Sequence, residues 1–220
     1  ALATTPLNVI QALDDFTRLP PDIREEVVSV LLSVNSEELS LDDRRRLLEK
    51  VREALNWINS YGKEEFQGSI VKLKEILQRF EPDDVIERVG WLLKSPWPRL
   101  PEGTTKDYDA DEEHVAALQK QAARELLDSI DIDAILSFAK TTEYIGVVGT
   151  AIGRAIKDDE EDQRVLSQLI KGALPAQDRE VTGYASQRIR IAGPDWIDRQ
   201  IAELKNADET NTEVIALLIF

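Results

Sequence analysis

The chain has 220 residues, enough for one large or two small domains, and 42% hydrophobic with 31% charged residues suits a folded chain with its own core. Its 42 acidic side chains against 27 basic ones leave a formal charge of −15, which argues against nucleic acid and anionic membranes as partners. Cysteine is absent, so thiol catalysis, zinc–thiolate sites and iron–sulfur clusters are excluded.

The N-terminal Ala1-Leu2-Ala3-Thr4-Thr5 lacks the basic start of a signal peptide, which points to a cytoplasmic setting. Methionine is absent, and its absence at position 1 is as expected for a processed chain or a piece of a larger protein. Pro6 followed by Leu7, Ile10, Leu13 and Phe16 predicts a first helix, ended by Pro20-Pro21. Asp22 then opens a second one carrying Ile23, Val27, Val30, Leu31 and Val34. Ser40-Leu41-Asp42-Asp43 reads as a capping box with Asp in place of Glu, and launches the longest helix, about 41 to 60. Leu41, Leu48, Val51, Leu55 and Ile58 form its apolar stripe, and Gly62 is its C-cap. Lys63 to Phe80 is expected as a further helix with Phe66, Ile70, Leu73 and Leu77 on one face.

Glu81-Pro82-Asp83-Asp84 restarts the chain, and Val85, Val89, Leu92 and Leu93 follow. Residues 94 to 110 hold Pro96, Pro98 and Pro101, which exclude regular helix and central strand. Helical patterning returns at about 110–129, then at 131–140, 143–156, 160–171, 176–191 and 194–205. Thr212 to Phe220 reads as a last helix or a strand; its apolar run Val214–Phe220 is far below the ~20 residues of a membrane span. Strict two-residue alternation occurs nowhere, so no sheet is expected. The fold expected is all-α, an irregular bundle or α-solenoid-like stack of about ten to twelve helices. Its parts are an N-terminal subdomain 1–93, a Pro-rich connector 94–110 and a C-terminal short-helix subdomain 111–220.

Candidate chemistry is sparse. His114 is the sole histidine, so a two-histidine metal site fails and any Ser–His–Asp triad must use it; at an acidic helix start a solvated role is expected. Asp107-Tyr108-Asp109-Ala110-Asp111 has the alternating carboxylates of a calcium loop, but Glu112 and Leu118 stand where that loop needs Gly and Glu. Asp158-Asp159-Glu160-Glu161-Asp162 reads as a solvated helix start rather than a metal cluster. Gly146-Val147-Val148-Gly149-Thr150-Ala151-Ile152-Gly153 lacks the preceding strand and the Gly-Lys-Ser/Thr end of nucleotide-binding loops. Small residues at 146, 149, 150 and 153 instead predict close helix packing.

Trp91 and Trp97 are expected to fold the Pro-rich loop back over the helices, anchored by buried indoles rather than lining a ligand groove. Trp91, Trp97, Arg99, Leu100 and Tyr108 are nevertheless the first candidates for a recognition surface, because loops carry function more often than the elements they join.

Phe80-Glu81-Pro82-Asp83-Asp84, Trp91-Leu92-Leu93 and Pro98-Arg99-Leu100-Pro101-Glu102-Gly103 together form a pattern, with Tyr144-Ile145-Gly146-Val147-Val148-Gly149 and Gly193-Pro194-Asp195-Trp196-Ile197. The pattern, over roughly 45 to 205, resembles helical regions downstream of NTPase-type or other effector domains in large bacterial multidomain proteins, some implicated in phage defence. The resemblance implies a sensor, scaffold or linker with its chemistry elsewhere in a parent chain, and carries over no functional residue.

The function expected is therefore a non-catalytic protein-interaction module without cofactor or metal, whose partner is a protein or another domain of a parent chain. A divalent-cation-dependent hydrolase would instead gather acids from several helices into a wet cavity. A structural spacer would offer no groove or apolar patch at all.

Overall fold

The computed structural model describes residues 6–62, 64–105, 107–172 and 179–206. Among these, eleven α-helices and four short 3-10 segments account for the regular structure, with no strand. The all-α reading therefore holds, and so does the expected number of helices. The stretch Thr212–Phe220 lies outside the described residues. No described helix is long and apolar enough to cross a membrane.

The chain forms two units, described separately: one from 1–83 and 99–111, the other from 84–98 and 112–220. Segment 94–110, read from the sequence as a connector, is thus divided between them after Pro98.

The first unit holds α1 (Pro6–Ala12), α2 (Pro21–Ser33), α3 (Leu41–Tyr61) and α4 (Gln67–Arg79). The ends of α3 follow local rules. Ser40 Oγ accepts from the Asp43 amide at 3.1 Å and donates to the Asp43 carboxylate, the capping box read from the sequence. Gly62 closes the helix at φ 59°, its amide bonded to the Ile58 carbonyl. Leu48, Val51, Leu55 and Ile58 are buried as the stripe predicts, but Leu41 is 52% exposed. It is the first residue of α3, nearly two turns before the core begins at Leu47.

Two expected helices are shorter than their apolar spacing implied. The first turns from α to 3-10 geometry at Leu13–Arg18, and the fourth is preceded by a 3-10 turn at Glu64–Phe66. Leu13, Phe16 and Phe66 are all buried in these segments. A 3-10 turn repeats every third residue, so apolar spacing alone does not separate it from α. Phe66 also lies under the buried Arg24, whose guanidinium stands 4.0 Å from the ring centroid and 3.2 Å from Glu65.

The proline-rich turn is tied to α3 through its backbone. Asn56 and Asn59 donate to the carbonyls of Leu100 and Pro101 at 2.8 and 2.6 Å, and the Thr104 amide donates to Ser60 Oγ at 2.9 Å. Gly103 completes the turn at φ 84°, where an added Cβ would stand 2.7 Å from the Ser60 nitrogen. Both the left-handed backbone and the missing space demand glycine here. Gly103→Ala is expected to lower stability by about 1–3 kcal/mol in urea unfolding. An unchanged midpoint would show that the turn is not held against α3.

The second unit holds α5 (Val85–Val89), a 3-10 turn at Gly90–Leu93, most of α6 (Tyr108–Ser129), α7 (Ile132–Ala139), α8 (Ile145–Ala155), α9 (Asp159–Gly172), α10 (Arg179–Ala192) and α11 (Asp195–Asn206). Asp84 and Asp131 cap α5 and α7 by accepting from the amides of Glu87 and Ala134. The stripe of small residues on α8 is a packing surface, as expected, and its partner is α10. A Cβ on Gly183 would lie 2.5 Å from the Gly146 carbonyl oxygen, and one on Gly153 would lie 3.0 Å from the Tyr184 carbonyl oxygen. The matching positions ascend together, so α8 and α10 run side by side in the same direction.

Candidate functional site

Sequence placed candidate chemistry in three acidic or loop segments, and the structure puts each to a different use. The run 158–162 is a helix start with Asp158, Asp159 and Glu160 exposed as expected, but Glu161 and Asp162 turn inward, which corrects that expectation at those two residues. Asp158 does cap α9, accepting from the Glu161 amide at 2.9 Å. Glu161 instead receives a two-pronged bond from Arg124 of α6, at 2.7 and 2.8 Å. Arg124 also reaches Asp128 and the Ala155 carbonyl, and Lys157 closes the network through Asp128. The Arg124 guanidinium holds the Glu161 carboxyl below its ordinary range.

Asp162 turns fully inward and is 2% exposed. One carboxylate oxygen accepts from the Tyr184 hydroxyl. The other accepts from Arg188 Nε at 3.0 Å, Arg188 Nη2 at 2.7 Å and Trp196 Nε1 at 2.7 Å. Three helices, α9, α10 and α11, therefore converge on one carboxylate. Burial, and then the Asp162 charge, push the Tyr184 phenol up, so it remains a donor at all ordinary pH. Four donor atoms from three side chains thus point at Asp162. The cluster is a structural hub.

The carboxylates of 107–111 are likewise engaged locally. Asp107 accepts from the Ala110 amide at 3.2 Å, and Asp111 accepts from the Thr105 amide at 3.0 Å. Among the described residues no three His, Asp or Glu side chains gather so as to hold a metal ion. His114 is exposed on α6.

The loop tryptophans behave differently from expectation. Trp91 is half-buried, but Trp97 is 43% exposed and lines an open groove of about 250 Å³. The deeply buried indole of this unit belongs to Trp196 instead. Trp97 is held over the groove by a neighbouring amide. Gln119 of α6, 5% exposed, donates from Nε2 to the carbonyls of Leu92 and Ser95 at 3.1 and 3.0 Å. The Trp97 amide in turn donates to Ser95 Oγ at 3.1 Å. These bonds tie the backbone before Pro96 to α6 and link Trp97 back to Ser95 within the loop that presents the indole.

The remaining walls come from two helix faces. Glu112, Val115, Ala116 and Gln119 recur along α6 at intervals of three and four, and Gly146, Thr150 and Arg154 recur every fourth residue along α8. Most of this lining is apolar, with Glu112 on one helix and Arg154 on the other. Among the described residues no carboxylate lies within ion-pair distance of Arg154, and it makes no hydrogen bond. Burial depresses the Arg154 guanidinium, the like charge of Arg190 depresses it further, and Glu112 opposes both from a distance.

The five surface candidates are not brought together. Trp91 and Trp97 belong to the second unit, whereas Arg99, Leu100 and Tyr108 belong to the first. Arg99 is bonded to Glu53, Leu100 is 5% exposed and anchors the proline turn, and Tyr108 is 64% exposed at the start of α6. Sequence reading passed over Gln119 and Arg154. Both fall on faces that simple apolar periodicity does not weigh, although Arg154 ends the small-residue stripe and so shares its helix face. Compared with protein-family models, curated proteins and solved structures, the chain matches none.

Proposed function

We propose that the chain is a non-catalytic helical protein-interaction module whose docking site is the groove of the second unit. The observation that carries this reading is the mounted Trp97, 43% exposed above an open recess and fixed by the buried Gln119. A partly exposed indole beside a recess combines a large apolar face with a polar edge, which suits it to a partner's surface. Tryptophan and arginine are also the residues that most often dominate protein interfaces, where they sit rigidly beside small pockets.

Size decides between a small-molecule site and a protein surface. Drug-sized ligands occupy clefts of about 300–1,000 Å³ that enclose most of the molecule. The groove, at about 250 Å³ and open to solvent, accommodates one or two side chains of a partner. Of the acids in 158–162, Asp158, Glu161 and Asp162 are engaged by a helix cap, by Arg124 and by the hub, which favours this reading over a metal-dependent hydrolase. A scaffold role within a larger bacterial protein belongs to the same reading and rests on the sequence resemblance alone.

The test is a selection of displayed twelve-residue peptides on the intact chain, followed by rescreening on Trp97→Ala. Clones that bind the parent and lose at least roughly tenfold on the variant are expected, since a central aromatic commonly carries more than 1 kcal/mol. Circular dichroism of Trp97→Ala should show the helix content of the parent, because Trp97 lies outside every helix. Clones indifferent to Trp97, or none retained, would contradict the reading.

A further inference from the structure

The groove carries one charge of each sign, Glu112 on the α6 wall and Arg154 on the α8 wall, and their placement identifies a ligand chemistry. The arginines that are turned into the body of the protein are mostly paired with carboxylates. Arg24, Arg88, Arg99, Arg124 and Arg188 each have one within 3.2 Å. Arg154 has none among the described residues, although it is half-buried and feels the like charge of Arg190. A guanidinium partly withdrawn from water, with no ion pair among the described residues, gains from an incoming carboxylate. Its planar fork binds a carboxylate through two parallel bonds, a geometry that lysine does not offer.

The apolar walls set a second requirement. Trp97, Val115 and Val147 offer contact for a large aliphatic or aromatic side chain. Glu112 on the α6 wall and the overall charge of −15 set a third, because they repel a segment rich in acids. We propose that the groove takes a peptide segment of a partner protein that is neutral or basic overall, with a single Asp or Glu against Arg154 and a large apolar side chain against Trp97. This inference rests on the groove being the docking site.

The probes are the displayed peptides retained on the intact chain, resynthesised with a fluorescent label and measured by anisotropy. Each is compared with a version in which its acid is replaced by the matching amide. Binding is measured on the parent, on Arg154→Gln and on Arg154→Lys, with helix content checked by circular dichroism. The peptides should pair one acid with a large apolar residue, and the acid-to-amide change should weaken binding roughly tenfold on the parent and under about twofold on Arg154→Gln. Arg154→Lys, which keeps the charge without the fork, should fall between them and supports the same conclusion if the glutamine variant folds poorly. Peptides that need Trp97 but ignore Arg154 and their own acid would overturn the assigned chemistry and leave the groove standing. Peptides that ignore Trp97 as well would remove both.

Discussion

Replacing Asp162 by alanine is expected to destabilise the protein by about 3–5 kcal/mol, the range for removing one partner of a buried ion pair. The side chains of Arg188 and Asp162 are only 8% and 3% exposed, so the freed guanidinium has no water to turn to. The same change strips an acceptor from the Tyr184 hydroxyl and from Trp196 Nε1, both buried. Asp162→Asn keeps the shape and one acceptor oxygen but loses the charge opposite Arg188, and should cost less than alanine. Urea unfolding followed by tryptophan fluorescence checks both, with Trp196 as a reporter inside the hub. A loss below about 1 kcal/mol for alanine would mean that water already reaches the site.

Gly183→Ala is expected to be the second costly change, although alanine in a helix ordinarily gains close to 1 kcal/mol over glycine. The new methyl would stand 2.5 Å from a backbone oxygen and 3.0 Å from Thr150 Oγ1. Backbone cannot step aside as a flexible side chain can, so α8 and α10 must separate. Overpacking of this kind costs about 1–3 kcal/mol, which outweighs the propensity gain. Gly153→Ala meets its neighbours at 3.0 and 3.1 Å, one of them the movable Gln187 side chain, and should be the milder of the two. Thermal unfolding of the two variants checks the order. A stabilised Gly183→Ala would contradict the close packing of the two helices.

These expectations also mark how far the sequence could be read. Local rules with a short reach were legible. Ser40, Gly62 and Asp84 sit at helix ends because capping depends on residues no more than four positions apart. The small residues from Gly146 to Gly153 announced a close helix contact, since few other features require four of them on one face. Their partner was not legible. Gly183 lies more than thirty residues later, and nothing local distinguishes it from any other helical glycine.

Asp162 failed for the same reason. In sequence it is the fifth of five consecutive acids, and solvation is the natural reading of such a run. Only the arrival of Arg188 and Trp196, 26 and 34 residues downstream, turns it inward. Trp97 failed in the opposite sense: a tryptophan among prolines is normally a buried anchor, yet here Gln119 ties the loop and Trp97 is 43% exposed. Side-chain amides carry no periodic signal, so the mount became legible only in three dimensions.

The most direct test of the account is a titration of the nitrogen-15-labelled chain with a selected peptide, followed by two-dimensional amide spectra. The account predicts that the Trp97 indole resonance and the amides of 112–119 and 146–154 shift together, while those of α2 to α4 stay in place. Shifts confined to other surfaces, with the Trp97 indole unmoved, would contradict it.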